Sequence, residues 1–526
     1  MTELPESVEI YDTTLRDGSQ LEGISLTVDD KLRIGEQLEY LGVQYIEGGW
    51  PGANPKDDEF FRRAAHELDL SASTLVAFGS TRRVKGKVDD DETLQHLVKA
   101  NTSTVCIVGK CWDYHVTEAL RTTLDEGVAM VADSVEFLKG HGLGVMFDAE
   151  HFFDGYKRNP EFSLRVLEAA VLRGCDTLVL CDTNGGSLPD EVERIVRDVS
   201  SHFRSDAQIG VHLHDDAGCG VANALAGVVG GATQVQGTIN GYGERTGNCN
   251  LTTIIPNLTL KMGVRTLPEG RLERLTPVSH HIAELVNIAP HPQAPYVGSS
   301  AFAHKAGLHV SAIVRRPDAY EHVEPNSVGN GTRFVVSELA GKSTLEMKAK
   351  ELGLDLDGKA LSDVVAQLKE LEHRGYHFEV ADGSLELLMR KAAGWEQDFF
   401  RLESFRVMAE HRNDGRWVTE ATMKVWFGDD RIIATAEGNG PVDALNGALR
   451  MAVQDRLPEL ARIHLTDYKV RILDSARGTG AVTRVLLDST DGERSWTTIG
   501  VSENIIEASW QALVDSIAYG LLHTDN

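Results

Sequence analysis

At 526 residues the chain is long enough for two to four domains, and its 42% hydrophobic and 6% aromatic content is ordinary for a soluble globular enzyme. A formal net charge of −27 argues against nucleic acid and anionic membrane as partners, since both repel an acidic surface. No run of about 18 apolar residues is present, Met1 to Glu9 lacks an apolar signal core, and the six scattered cysteines form no CxxC pair, so a cytoplasmic protein with reduced thiols is expected.

From the N-terminus, short apolar runs alternate with longer helical stretches. The runs are Val8–Tyr11, Val43–Glu47, Thr74–Phe78, Thr104–Val108, Gly144–Asp148, Thr177–Cys181, Gly210–Leu213 and Thr233–Gly237. Between them lie stretches such as Thr27–Leu41 and Leu188–His202, with apolar residues at helical spacing. Eight β/α units of this size predict an α/β fold, a (β/α)8 TIM barrel, with a doubly wound open sheet as the alternative. In such a barrel the active site lies at the C-terminal ends of the strands. Those ends carry Asp12 to Asp17, Glu47-Gly48-Gly49, Glu150-His151, Asp182-Thr183-Asn184, His212 to Asp216 and Asn240 to Asn248. A purely structural barrel has no need of so many polar strand ends.

After about residue 265 the pattern loosens around Pro268, Pro277, Pro290, Pro292 and Pro295, and a second polar cluster runs from His304 to His309. Helices are expected at Ser343–Leu352, Gly358–Gly375 and Ser384–Gly394. From about Phe399 the period shifts to two. Phe405–Met408, Ala421–Trp426, Tyr468–Leu473, Ala481–Asp488 and Trp496–Val501 read as strands, and Asp443–Leu457 and Asn504–Leu522 as helices. The expected organisation is therefore a catalytic barrel (1–275), helical accessory subdomains (276–395) and a C-terminal α+β module (396–526). That last module is poor in catalytic groups and suits regulation or dimerisation.

His212 and His214, at i and i+2 on a strand, share a face. Imidazoles and a carboxylate are common ligands for first-row divalent ions. With Asp17 at another strand end they form a candidate metal site, the alternative being two hydrogen-bonded barrel histidines. Arg16 offers permanent charge and several donors for a substrate carbonyl and the alkoxide formed from it. Asn248, in a loop with three glycines after the last strand, is a candidate oxygen ligand. Glu150 could orient substrate or manage a proton, and Thr183 could bind a substrate carboxylate, strand-end capping being the alternative for each. His309 is a candidate general base for a thioester α-proton, with Tyr320 to position it, the alternative being a solvated helical histidine.

Three stretches carry a family resemblance: Tyr11 to Gly18, His212 to Asp216, and Asn240 to Asn248. Together they resemble the signatures of the 2-isopropylmalate synthase, homocitrate synthase and citramalate synthase family, within the DRE-TIM metallolyase superfamily. The likeness spans essentially the whole chain. Glu47 to Asp57 and Gly500 to Ile506 look like the citramalate-forming branch. The resemblance implies an acyltransferase that condenses acetyl-CoA with pyruvate and hydrolyses the thioester to (R)-citramalate and CoA, on a threonine-independent route to isoleucine. It implies a divalent metal ion (Mg, Mn, Zn or Co) held by Asp17, His212, His214 and Asn248. It assigns catalytic roles to Arg16, Glu150, His309 and Tyr320, and substrate contacts to Arg16 and Thr183. It also implies a homodimer, with isoleucine as inhibitor at the C-terminal domain. The alternatives are 2-isopropylmalate or homocitrate synthesis, a metal-dependent barrel lyase or aldolase, and a non-catalytic sensor that kept the barrel.

Overall fold

The computed structural model describes residues 4–304, 316, 320–334, 342–395, 399–413, 415–473 and 481–523. They divide into two compact units: one runs up to Phe302 and includes Glu321–Thr332, and the other comprises the described residues of 303–320 and of 333–523.

The first unit is the expected closed parallel barrel. Its strands are β1 (Glu9–Asp12), β2 (Tyr45–Gly49), β3 (Thr74–Ser80), β4 (Thr104–Lys110), β5 (Gly144–Glu150), β6 (Thr177–Asp182), β7 (Gln208–Leu213) and β8 (Gln234–Gly237). Each pairs with the next, and β8 closes onto β1 with Glu9 opposite Gln234 and Asp12 opposite Gly237. Alternation along each strand separates two cores. Outward residues such as Ile10, Ile46, Ala77, Ile107, Phe147, Leu180, Val211 and Val235 pack against the helix layer. Inward residues Tyr11, Val76, Phe78, Cys106 and Met146 form a second, smaller cluster inside the barrel.

The helices form for local reasons that agree with this packing. In Val28–Leu41, Thr27 Oγ1 accepts from the Asp30 amide at 3.1 Å, while the Asp30 carboxylate accepts from the Thr27 amide at 2.9 Å. This capping box is worth about 1 kcal/mol. Gly42, at φ 90°, ends the helix in the left-handed region. Ile34, Leu38 and Leu41 on one face are fully buried against the barrel. The helix Leu275–Leu285, beyond the last strand, adds Leu275, Val278 and Ile282 to the same core.

What distinguishes this barrel is the inside of its C-terminal half. Barrel interiors are normally filled with branched apolar side chains. Here Glu47, Asp148, His212, Gln234 and Gln236 occupy inward positions, each 5% exposed or less. Burying that many polar groups is costly unless they are paired with one another or with a ligand.

The second unit opens with the short parallel pair β9 (Ala303–His304) and β10 (Arg333–Phe334). The helices Lys342–Glu351, Gly358–His373 and Asp382–Ala392 follow, close to the expected bounds. Two antiparallel three-stranded sheets complete it. The first is β11 (Arg401–His411), β12 (Trp417–Phe427) and β13 (Asp430–Gly438), followed by the helix Pro441–Val453; the second is β14 (His464–Ile472), β15 (Thr483–Thr490) and β16 (Ser495–Ser502), followed by Ile505–His523. The two halves thus repeat one arrangement of three strands and a helix, and one strand was not foreseen, β13 in the first half. Met423, Val425, Leu449, Val485, Leu487, Trp496 and Ile517 from both halves share one core. All six cysteines are free, five of them buried. No helix among the described residues is long and apolar enough to cross a membrane.

Candidate active site

The turn after β1 is built by its own side chains. Asp12 accepts from the amide and the hydroxyl of Thr14, both at 2.9 Å, and Thr14 Oγ1 in turn accepts from the Ile239 amide after β8. Asp17 is thereby held over the barrel mouth, 4% exposed. Its Oδ2 lies 3.1 Å from His212 Nε2, 3.9 Å from His214 Nε2 and 3.0 Å from the amide nitrogen of Asn248. The ligand atoms of Asp17, His212 and His214 all fall within 4.8 Å of one another, so these three residues could hold one metal ion.

Asn248 reaches the group because glycine makes room for it. A Cβ on Gly243 would sit 2.0 Å from Asn248 Oδ1, and one on Gly247 would sit 2.0 Å from the Gly241 carbonyl. Among the described residues Asn248 Oδ1 is buried without a hydrogen-bond partner, while its nitrogen faces Asp17 and, at 3.3 Å, His212 Nε2. An amide turned end for end presents the orphaned oxygen to the same point. One carboxylate, two imidazoles and an amide oxygen are a donor set that fits a divalent cation. The charges agree. Asp17, Glu47 and Asp148 are three buried carboxylates with a single guanidinium, Arg16, among them.

Arg16 is fixed on two sides. Its Nε donates to Glu47 Oε1 at 2.6 Å, and its guanidinium carbon lies 3.9 Å above the Phe78 ring. Glu47, fully buried, also accepts from Tyr11 Oη at 2.6 Å and Thr13 Oγ1 at 2.5 Å. Burial opposes ionisation of Asp17, but the adjacent Arg16 charge and the His212 hydrogen bond overcome it and hold the carboxyl well below the usual range. Burial pushes His214 down to about 4, so its imidazole is neutral and suited to ligation.

Glu150, at the end of β5, is ion-paired with Lys110 at the end of β4. Thr183, just beyond β6, accepts from the His151 amide at 2.9 Å through its hydroxyl, and its carbonyl accepts from Arg245 at 2.7 Å. Arg245 also grips both oxygens of Asp216, at 2.7 and 2.9 Å. Trp50 packs edge-on against Phe78 with ring centroids 5.4 Å apart. The barrel therefore gathers Arg16, Asp17, His212, His214 and Asn248 at its mouth and puts Glu150 and Thr183 on two adjacent strand ends. Tyr320 belongs to the second unit and is 47% exposed. His309 lies outside the described residues.

Sequence reasoning did not single out Glu47 as the partner of Arg16, Lys110 as the partner of Glu150, or Asp148 and Gln236 beneath His212. The available signal was a charged or amide side chain at an inward position of a buried parallel strand.

One carboxyl gives a pH test of the fold. Burial raises Asp12 from 3.8 to about 7, against the opposing hydrogen bonds from Thr14. Between these values the folded chain keeps a proton that the unfolded chain releases. The stability Asp12 contributes is full below the lower value and is lost as pH rises to the upper, by up to ~1.4 kcal/mol per pH unit. Asp12→Asn removes this titration. Its melting temperature relative to wild type should rise from pH 5 to pH 7 and level off above, as followed by differential scanning fluorimetry. A pH-independent difference contradicts the assignment.

Three family models match the chain: HMGL-like over residues 7–282, homocitrate synthase post-HMGL domain-like over 296–376, and LeuA allosteric (dimerisation) domain over 379–521. The chain is 52% identical to an (R)-citramalate synthase of Streptomyces coelicolor, covering 99% of this chain and 98% of that one. It is 50% identical to an (R)-citramalate synthase of Aquifex aeolicus with the same coverage. It is 31% identical to a 2-isopropylmalate synthase of Ruminiclostridium cellulolyticum, covering 98% and 97%.

Proposed function

Because the chain belongs to the HMGL-like family and, within it, to the (R)-citramalate synthases, it condenses acetyl-CoA with pyruvate to citramalate and CoA, and we propose that the cluster at the barrel mouth carries out this reaction. The observation that carries the assignment is the convergence of Asp17, His212, His214 and Asn248 beside Arg16. The identities favour the pyruvate reading over the 2-oxoisovalerate reading, at 52% against 31%.

Asp17, His212, His214 and Asn248 would hold a divalent ion (Mg, Mn, Zn or Co), which would supply Lewis-acid polarisation of the pyruvate keto carbonyl. Arg16 donates to the same oxygen as it gains charge on becoming the tertiary alkoxide, and Glu47 keeps the guanidinium oriented so that little reorganisation is needed. Thr183 spends an oxygen lone pair on the His151 amide, which leaves its hydroxyl proton for the pyruvate carboxylate. Glu150, anchored by Lys110, organises the site between them. His309, with Tyr320 to position it, serves as the base that takes the acetyl α-proton. Hydrolysis of the resulting thioester consumes one water and releases CoA and the free acid.

The C-terminal unit serves as a dimerising, isoleucine-binding regulator, and coupling of this kind is worth roughly 1–3 kcal/mol. The test is CoA release from acetyl-CoA with Mg²⁺ or Mn²⁺, supplying pyruvate, 2-oxoisovalerate or 2-oxoglutarate in parallel, with the acid product identified by mass spectrometry. Pyruvate should be preferred and citramalate formed. Preference for 2-oxoisovalerate moves the chain to the 2-isopropylmalate reaction, and release with none of the three rejects the condensation.

A further inference from the structure

Gln236 is fully buried on the inward face of β8, where a barrel would ordinarily place an aliphatic side chain. Its Oε1 lies 2.8 Å from His212 Nδ1, and its Nε2 donates to Asp148 Oδ1 at 3.2 Å. Asp148 also accepts from Cys106 Sγ at 3.2 Å. His212 and Gln236 are direct partners in the β7–β8 ladder, so the backbone register brings them together.

Two neighbours show that this arrangement is not generic packing. Gln234 lies on the same face of the same strand and is just as buried. Among the described residues its Oε1 has no partner, and its Nε2 meets Met146 Sδ at 3.8 Å. His214, the other imidazole of the cluster, has a buried Nδ1 with no partner among the described residues, because β8 ends at Gly237 and the residue bridged to His214 is Asn248. Of the two imidazoles, His212 is the one whose far nitrogen is held.

The chain of donors has a direction. A carboxylate accepts and does not donate, so Asp148 faces the amide nitrogen of Gln236 rather than its oxygen. The oxygen is then turned to His212, where it is satisfied only if Nδ1 carries the proton. That leaves Nε2, the nitrogen hydrogen-bonded to Asp17 at 3.1 Å, as the one turned toward the other ligand atoms. We propose that Gln236 is a positioning residue for the metal site: held by Asp148, it fixes the tautomer and ring orientation of His212 so that Nε2 is ready for the ion. This rests on the metal reading above and goes beyond the ligands themselves. Partners of this kind are worth 10- to 100-fold in metal affinity.

The test uses the full-length protein and Mn²⁺ alone, with binding measured by calorimetry and by the loss of the free-ion paramagnetic resonance signal. Gln236→Met keeps the shape and removes the acceptor. Its dissociation constant for Mn²⁺ should rise about 10- to 100-fold, and its turnover should recover substantially at saturating Mn²⁺, a rescue that general loss of structure does not give. Gln236→Glu retains an oxygen for the His212 proton and, protonated on its other oxygen, a donor for Asp148. It should bind Mn²⁺ within a few-fold of wild type. Equal affinity in wild type and Gln236→Met overturns the proposal alone. So does a loss in Gln236→Glu as deep as in Gln236→Met, which also covers the case of a Met variant that folds poorly. Wild-type protein that takes up no Mn²⁺ overturns both this assignment and the metal reading on which it rests.

Discussion

Replacing Arg16 with glutamine is expected to lower kcat about 10²- to 10³-fold, the loss that follows removal of one preorganised donor from a developing oxyanion. The pyruvate KM should move far less, because the neutral ketone gains little from the guanidinium before charge builds on its oxygen. A second effect accompanies the first. Arg16 is also the cation paired with Glu47, and both side chains are largely shielded from water, at 15% and 0% exposure. Breaking a buried pair from one side leaves an uncompensated charge and costs about 3–5 kcal/mol. Arg16→Gln should therefore melt earlier as well as turn over slowly. Adding Glu47→Gln separates the two effects: it removes the stranded carboxylate and restores much of the melting temperature without restoring kcat. Arg16→Lys keeps the charge but lacks the planar fork, and should recover stability better than rate. If the double variant regains turnover along with stability, Arg16 acts only through the fold.

Asp17→Ala should remove turnover and divalent-ion binding together. Asp17 is the one carboxylate in the three-residue group and touches both histidines, so its loss deletes a ligand and the charge that orients the other two. Supporting partners outside the coordination shell already account for 10- to 100-fold in affinity, so a direct ligand should account for more than about 100-fold. The barrel should stay folded, since the apolar core outside the strands is untouched. Mn²⁺ calorimetry and circular dichroism on the same preparation make the distinction. Retained Mn²⁺ affinity places the ion elsewhere.

The barrel was legible because each strand buries an apolar outer face, and a run such as Thr177–Cys181 carries that signal whatever its neighbours are. The site was legible where chemistry is concentrated in short stretches, as in Arg16-Asp17 and His212 to His214. What escaped depended on pairing between distant segments. Nothing near Gln236 says that it will stand beside His212; that follows from the β7–β8 register, and nothing local separates Gln236 from Gln234. Glu47 was visible as a strand-end acid, but its partner Arg16 lies in the turn after β1, 31 positions earlier in the chain. In the C-terminal unit β13 escaped for a different reason. Its one buried hydrophobic residue is Ala434, while Ile433 is 56% exposed, so the hydrophobic alternation that marks a half-buried strand is faint.

The ring closes between the first barrel strand and the last, with Glu9 opposite Gln234, 225 positions later in the chain. On a ribosome adding roughly 5–20 residues per second, β1 waits about 10–45 s for its second neighbour. Through that interval the nascent chain carries an open sheet, with an unsatisfied backbone edge on β1 and another on whichever strand was made last. Chains halted anywhere before β8 keep both edges indefinitely. Synthesis at low temperature, which lengthens the wait, and truncation within the barrel should share one outcome: loss to edge-to-edge association rather than to a smaller folded fragment.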